Sequence, residues 1–212
     1  MALYLVTETT GLNPITDDLL EIAIIDDSGA VLLASLIKPC NNTSWPAAEA
    51  IHGITPDMVA SAPALTEIAP KIAAAVKGQD IIIYNAAFDT GFLGSLLSLA
   101  KSIKCCMEAW AEHSGEWSDY HGNYRWQKLA KAAAAVHFDW PGESHRALAD
   151  SLACRAIWQY LANPDERKRV DAITQDKNNA RLAKMALNEL ERKQNATLDA
   201  RLRFIGQFIH HW

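Results

Sequence analysis

The run Asp80-Ile81-Ile82-Ile83-Tyr84 constrains the fold of this chain more than any other feature. Its three isoleucines are apolar and β-branched at consecutive positions, without the alternation of a strand that has one face in water. Such a run predicts a strand covered on both faces, as in parallel sheets with helices on each side. At 212 residues, half of them hydrophobic, the chain can bury one substantial core.

Patterns on either side of this run indicate a mixed sheet. Strands are predicted at 3–7, 19–25 and 30–38, with a Ser28-Gly29 turn that makes the last two a hairpin, and near 103–107. Helices are predicted at 55–59, 65–76, 88–101, 126–135 and 146–161. Hairpin-linked strands followed by alternating helices and strands predict an α/β fold, a mixed five-stranded sheet flanked by helices.

A second region begins with the helix-start pattern Asn163-Pro164-Asp165-Glu166. We expect a domain at 1–162 and a C-terminal helical extension at 163–212. Its last helix should carry one apolar stripe, formed by Leu198, Leu202, Ile205 and Ile209. That stripe would pack on the body or on a second copy of the chain.

Charge differs between the two regions. Residues 1–164 hold 10 basic and 18 acidic groups, a balance of −8, whereas 165–212 hold 10 and 7, a balance of +3. An acidic body is compatible with a divalent-cation site or with plain solubility. Basic residues of the extension, among them Arg167-Lys168-Arg169, would contact phosphates, or form a solvated helical face or a dimer contact.

Localisation and redox state follow from weaker signals. The apolar N-terminal run is too short for a signal peptide or a membrane span, so we expect a soluble, cytoplasmic protein without a membrane partner. The four cysteines lack C-x-x-C spacing, which argues against a zinc ribbon and a disulfide framework.

Three short motifs carry candidate chemistry. Glu8 ends the first strand in Val6-Thr7-Glu8-Thr9-Thr10-Gly11-Leu12, so positions 6 and 8 share a face at the carboxyl edge of the sheet. Asp89 closes Asn85-Ala86-Ala87-Phe88-Asp89, and His145 and Asp150 bound His145-Arg146-Ala147-Leu148-Ala149-Asp150. Considered singly, each acid is equally typical of a helix cap or of a solvated surface residue.

Together and in this order, the motifs resemble those of the DEDDh 3′-5′ exonucleases. That family has a ribonuclease-H-like fold and includes polymerase proofreading subunits and exonuclease-X-like enzymes. Its motifs are Asp-x-Glu-Thr-Thr-Gly-Leu, Asn-x-x-Phe-Asp and His-x-Ala-x-x-Asp. Ala50-Ile51-His52-Gly53-Ile54-Thr55 also resembles a segment that lines the family's pocket for the terminal nucleotide. The likeness covers roughly residues 3 to 160.

The resemblance implies roles for individual residues. Glu8, Asp89 and Asp150 would hold two Mg²⁺ or Mn²⁺ ions, Asp89 largely through water, and His145 would take the proton from the attacking water. Substrate contacts are expected from Thr9, Gly11, Leu12, His52, Asn85 and Phe88. For His52 and Phe88, structural roles in the core are the alternatives.

The resemblance also implies partners. The expected substrate is a DNA 3′ end, preferably single-stranded, with RNA as the alternative. The C-terminal helices would contact a second copy or a polymerase. The tryptophans Trp110, Trp117, Trp126 and Trp140 flank a predicted loop at 111–124, where they either pack ordinarily or stack on bases.

Val6 stands where the family has the aspartate that bridges both cations. Valine cannot bind a cation, and the acids at 17–18 and 26–27 lie in a loop and a hairpin. Three accounts are open: an inactivating substitution introduced or selected in cloning, a natural pseudoenzyme, or an enzyme that works with one cation or a shifted ligand. We therefore expect weak or absent nuclease activity, and the alternative is a catalytically silent nucleic-acid-binding or scaffold domain.

Overall fold

The computed structural model describes the backbone of residues 2–142 and 145–209 and the side chains of residues 2–142 and 145–195. Five strands form one sheet in the order β3-β2-β1-β4-β5. They are β1 Ala2–Thr9, β2 Leu19–Asp26, β3 Val31–Leu36, β4 Asp80–Ile83 and β5 Ser102–Cys105. The first three pair antiparallel, whereas β4 is parallel to β1 and to β5. The predicted mixed five-stranded sheet is confirmed.

Helices follow the strands along the chain. They are α1 Pro46–His52, α2 Pro56–Val59, α3 Leu65–Val76, α4 Ala86–Leu93, α5 Cys106–Ser114, α6 Leu129–Ala135, α7 Ala147–Ala162 and α8 Pro164–Ile209. A separate hairpin consists of β6 Trp117–Ser118 and β7 Asn123–Tyr124.

The chain divides after Pro164 into two compact units. The second unit contains α8, the C-terminal helix that the sequence predicts. The stripe expected from Leu198, Leu202, Ile205 and Ile209 lies outside the residues whose side chains are described. None of the described helices is long and apolar enough to cross a membrane.

The two faces of β1 have different environments. Leu3 and Leu5 belong to a core cluster with residues of α3, among them Ile72. Val6 points the other way and packs with Ala23 and with Ala147 at the start of α7. Because strand side chains alternate, Glu8 lies on the α7 side of the sheet, as Val6 does.

Several predicted boundaries are wrong, each for a local reason. The helix predicted at 88–101 ends as α4 at Leu93, because Gly94 takes a left-handed φ of 50° and a short 3-10 turn follows. The predicted strand at 103–107 ends at Cys105, where α5 begins, and α1 was not predicted. The predicted loop at 111–124 is partly helix and partly hairpin.

Candidate active site

Three carboxyl groups come together where β1 and β4 end, and we call Glu8, Asp89 and Asp150 the acidic cluster. Glu8 is the last but one residue of β1, and Asp89 lies in the first turn of α4, which begins soon after β4. Asp150 lies in the first turn of α7. Because β1 and β4 are parallel, their carboxyl ends share one edge, which is where such sheets bind ligands.

Asp89 is fixed against β1 by two hydrogen bonds. The backbone N–H and the Oγ1 hydroxyl of Thr7 both donate to its Oδ1, at 2.9 and 2.8 Å. The side chain is buried, and burial raises the pKa of Asp89 to about 7, although the bonds from Thr7 oppose the shift. The carboxyl is therefore held in place while it retains a strong tendency to bind a proton.

The pKa of Glu8 is also strongly raised. Burial raises its pKa to about 8, and the charges of Asp150, Glu21 and Asp89 add to the increase, whereas Arg146 opposes it. Burial also raises the pKa of Asp150, although the backbone N–H of His145 donates to its Oδ1 at 3.1 Å. Carboxyls this close disfavour one another's ionised forms, so the cluster takes up protons near neutral pH in the absence of a cation.

His145 lies at the edge of the cluster with an unusual backbone. Its φ of 63° is left-handed, which is costly for a residue other than glycine, and its side chain is exposed. The hydrogen bond to Asp150 supports this conformation. The structure thus places the backbone of His145 next to Asp150 at the start of α7, with the imidazole exposed to solvent.

An ion pair next to His145 fastens the start of α7 to β2. Arg146 donates to both carboxylate oxygens of Glu21, from Nε at 3.1 Å and from Nη2 at 2.6 Å. The backbone N–H of Ala147 donates to Glu21 at 2.9 Å. Sequence reasoning missed this pair, although Glu21 lies directly opposite Glu8 in the β1–β2 register.

Val6 stands where the resemblance to the exonucleases implies a carboxylate. Its side chain is buried among Ala23 and Ala147, with Leu148 packed against them. The neighbouring acids are engaged elsewhere: Asp17 accepts from Asn13, Asp18 from Asn41 and Asn42, Asp26 from Ser28 and Ala30, and Asp27 from Ala2 and Tyr4. None of these four described carboxylates takes the place of a carboxylate at position 6.

The remaining donors do not complete a site for two cations. Among the described residues, no three His, Cys, Asp or Glu side chains form a group that would hold a metal ion. The acidic cluster brings carboxyl oxygens together, and these are the ligands that a hard divalent cation prefers. A pair of such ions, however, needs a shared ligand, and Val6 presents two methyl groups where that ligand would lie.

Thr9, Gly11 and Leu12 form the turn that follows β1. The Thr9 hydroxyl donates to the Gly11 carbonyl at 2.6 Å, and a side chain at position 11 would collide with the carboxylate of Asp17. A larger residue there would therefore require the Asp17 side chain to move. Leu12 is 84 % exposed and projects from this turn, as an apolar contact for a terminal base would.

His52 has a structural role in this fold. Its ring is buried, its Nε2 lies 3.2 Å from the Thr9 carbonyl, and its Nδ1 accepts the backbone N–H of Ile54. Burial lowers the pKa of His52, which favours the neutral ring. Both ring nitrogens therefore contact backbone groups, and the ring supports the end of β1 through the Thr9 carbonyl.

Asn85 and Phe88 flank the start of α4. Asn85 precedes the helix, and its carbonyl accepts the backbone N–H groups of Phe88 and Asp89. Phe88 is half-buried, and its ring lies 5.1 Å from that of Phe92. Both residues are therefore adjacent to the acidic cluster without being fully enclosed by the core.

This sheet order, with carboxyls at the ends of β1 and β4 and on α7, defines the ribonuclease-H-like class of folds. Residues 7–158 match a family model described as exonuclease, and the chain belongs to this family. The expected exonuclease resemblance is confirmed.

Individual relatives agree with this assignment. An uncharacterized exonuclease CP81 of Escherichia phage 186 is 37 % identical over 173 residues, which cover 76 % of this chain and 87 % of that protein. DNA polymerase III subunit epsilon of Treponema pallidum is 29 % identical over 159 residues, 72 % of each chain. The solved structure of exonuclease X in complex with 5′ overhanging duplex DNA matches with a TM-score of 0.59 and 25 % identity, over 77 % of this chain and 92 % of that one.

Proposed function

We propose that the acidic cluster is the site of a 3′-5′ exonuclease that acts on DNA 3′ ends, and that Val6 weakens or abolishes hydrolysis in this form. The observation that carries the proposal is the convergence of Glu8, Asp89 and Asp150 beside His145 in a chain of the exonuclease family. DNA as the substrate is supported by the relatives, which include a polymerase III epsilon subunit and a DNA complex of exonuclease X.

The chain's own residues fit separate tasks in this reaction. His145 would accept the proton of the attacking water, since an imidazole is suited to general-base work at neutral pH. The hydrogen bond from its backbone N–H to Asp150 and the Glu21–Arg146 pair would fix the segment that carries this imidazole. Leu12 and Phe88 would contact the terminal nucleotide, and Asn85 its sugar.

With a carboxylate restored at position 6, Glu8, Asp89 and Asp150 would help to hold Mg²⁺ or Mn²⁺, which would neutralise charge on the attacking and leaving oxygens. The missing ligand at position 6 removes part of that stabilisation. We expect a loss of several kcal/mol, which corresponds to about a thousandfold in rate or more.

The competing function is a catalytically silent nucleic-acid-binding or scaffold domain. The observation in its favour is the apolar contact of Val6 with Ala23 and Ala147, which fills the position of the ligand with well-packed side chains. Such a domain would keep the nucleotide contacts and lack turnover.

Restoring the carboxylate separates the two functions. The variant Val6→Asp is incubated with Mn²⁺ or Mg²⁺ and with a 5′-labelled single-stranded DNA, and Val6→Ala serves as the control that removes methyl groups without adding charge. The nuclease proposal predicts a ladder that shortens from the 3′ end with Val6→Asp, at a rate about a thousandfold above the parent chain. Intact DNA with Val6→Asp, together with retained binding, would support the silent domain instead.

Three further measurements address the substrate and the partners. An RNA strand of the same sequence, assayed in parallel, shows whether the sugar of the substrate changes the rate of degradation. Size-exclusion chromatography with light scattering reports whether the C-terminal unit brings two copies together. Addition of a bacterial polymerase III core lacking its epsilon subunit tests the alternative partner.

A further inference from the structure

The hairpin between α5 and α6 collects the exposed aromatic side chains of the chain. Among the residues whose side chains are described, every exposed Trp, Tyr or Phe lies here: Trp117 is 54 % exposed, Tyr120 91 % and Trp126 61 %. We call residues 116–126 the aromatic hairpin. Large aromatic side chains are normally packed against other parts of a protein. Several of them exposed together therefore indicate a binding surface.

The aromatic hairpin has a defined shape. Trp117 pairs with Tyr124 across the strands, with ring centroids 5.3 Å apart and an interplanar angle of 88°. The turn is closed by the backbone N–H of Gly122, which donates to the Ser118 carbonyl at 2.9 Å, with φ of 62° at the glycine. Residues from Ser118 to Trp126 line an open concavity of about 700 Å³.

The base of the hairpin is anchored to the edge of the sheet that carries the acidic cluster. The hydroxyl of Tyr84, the residue after β4, donates to the backbone carbonyl of Gln127 at 2.8 Å. Trp110 Nε1 donates to the side chain of Gln127, which in turn donates to Glu116. Tyr84 lies five residues before Asp89, so this hydrogen bond ties the base of the hairpin to the segment that leads into the acidic cluster.

Basic side chains accompany the aromatic faces. Residues 116–131 hold three basic residues and two acids, a balance of +1, within a unit whose balance is −8, and one of the three, Lys131, pairs with Glu116. No ion pair to Arg125 is formed by any described residue. Aromatic faces for bases, together with cations for phosphates, are the combination that binds single-stranded nucleic acid without sequence preference.

We propose that the aromatic hairpin binds the single strand upstream of the nucleotide held at the acidic cluster, with bases stacked on Tyr120 and Trp126 and a phosphate at Arg125. This inference rests on the proposed function for the position of the 3′ end. It adds a second binding region outside the three motifs.

Binding without turnover tests the proposal. Fluorescence anisotropy with 5′-fluorescein dT12 and with U12, in EDTA, compares the parent chain with Tyr120→Ala, Trp126→Ala and Arg125→Gln. Each aromatic truncation should weaken binding about tenfold, whereas Tyr120→Phe and Trp126→Phe, which keep a stacking face, should bind within about twofold of the parent. Arg125→Gln should also lower the slope of log affinity against log salt by about 0.7.

Leu32→Ala is the matched control, because Leu32 is an apolar side chain, 49 % exposed, on β3 at the far edge of the sheet. Loss of affinity in the hairpin variants for either oligonucleotide, with Leu32→Ala unchanged, supports the proposal. Equal binding by parent and hairpin variants, or no binding of either oligonucleotide by the parent, overturns it. Failure of Val6→Asp to degrade DNA while the hairpin variants lose affinity would reject the proposed function and leave the hairpin inference standing.

Discussion

The acidic cluster and the aromatic hairpin are built in opposite ways. The acidic cluster joins residues from three distant segments, which are mostly buried and held by hydrogen bonds from Thr7 and His145 and by the Glu21–Arg146 pair. The aromatic hairpin is one local segment, mostly exposed, with its anchor at Gln127. Chemistry on a phosphodiester needs enclosed, positioned charges, whereas strand binding needs accessible flat surface. Substitutions in the cluster should therefore affect folding and turnover together, and those in the hairpin should affect binding alone.

The greatest change is expected in turnover at the cluster. In the Val6→Asp background, Asp150→Asn removes a carboxylate that the restored site needs, so the gained nuclease rate should fall by about a thousandfold. Single-turnover kinetics with Mn²⁺ measures it, and Asp165→Asn, an acid of the second unit, is the control. A rate within tenfold of the background variant would show that Asp150 lies outside the reaction.

The next effect concerns the ion pair beside His145. Arg146→Gln leaves the Glu21 carboxylate buried without its counter-charge, which should lower the free energy of unfolding by about 3 kcal/mol. Urea denaturation measures the loss, and a double-mutant cycle with Glu21→Gln isolates the pairwise part. If the single variants are as stable as the parent, the pair does not fasten α7 to β2.

A smaller effect is expected in the pH dependence of stability. The pKa of Glu8 is raised to about 8 in the folded chain, so the folded state keeps a proton that the unfolded state loses above about pH 4.5. The free energy of unfolding should therefore decrease as pH rises from about 5 to 9 in EDTA, by an amount on the order of 2 kcal/mol. Glu8→Gln should flatten this slope, and a slope that is unchanged in Glu8→Gln would assign the effect to other groups.

The least change is expected in the stability of hairpin variants. Tyr120 is 91 % exposed, so Tyr120→Ala should change the free energy of unfolding by less than about 0.5 kcal/mol. The same urea titration measures it beside the cluster variants. A loss above about 2 kcal/mol would mean that the hairpin is part of the core, and the contrast between the two regions would fail.

The fold was largely predictable because periodicity and caps are local signals. The run before Tyr84 and the Ser28-Gly29 turn indicated the sheet correctly. What could not be predicted depends on partners distant in sequence. Gln127, for example, is engaged by Tyr84 and Trp110, and α6 begins only at Leu129, three residues later than the pattern indicated.

The candidate site, like the fold, was predictable from the sequence only in part. The order of the three motifs predicts one site formed by Glu8, Asp89, Asp150 and His145, with a carboxylate lacking at Val6, and the roles of these residues stay predictions. The Glu21–Arg146 pair is not, because it depends on the register between β1 and β2 and on where α7 starts. His52 could not be assigned from the sequence either, because only the fold shows that both ring nitrogens face backbone groups.

Anomalous scattering from crystals of the parent chain and of Val6→Asp, soaked with Mn²⁺ and dTMP, would show whether the acidic cluster holds catalytic cations. We predict two manganese peaks about 4 Å apart in the variant, bound by Glu8, Asp89, Asp150 and the introduced carboxylate, with the phosphate on them. The parent chain should show one peak or none there. Manganese bound away from these three side chains, or an equal pair of peaks in the parent chain, would refute the cluster's role.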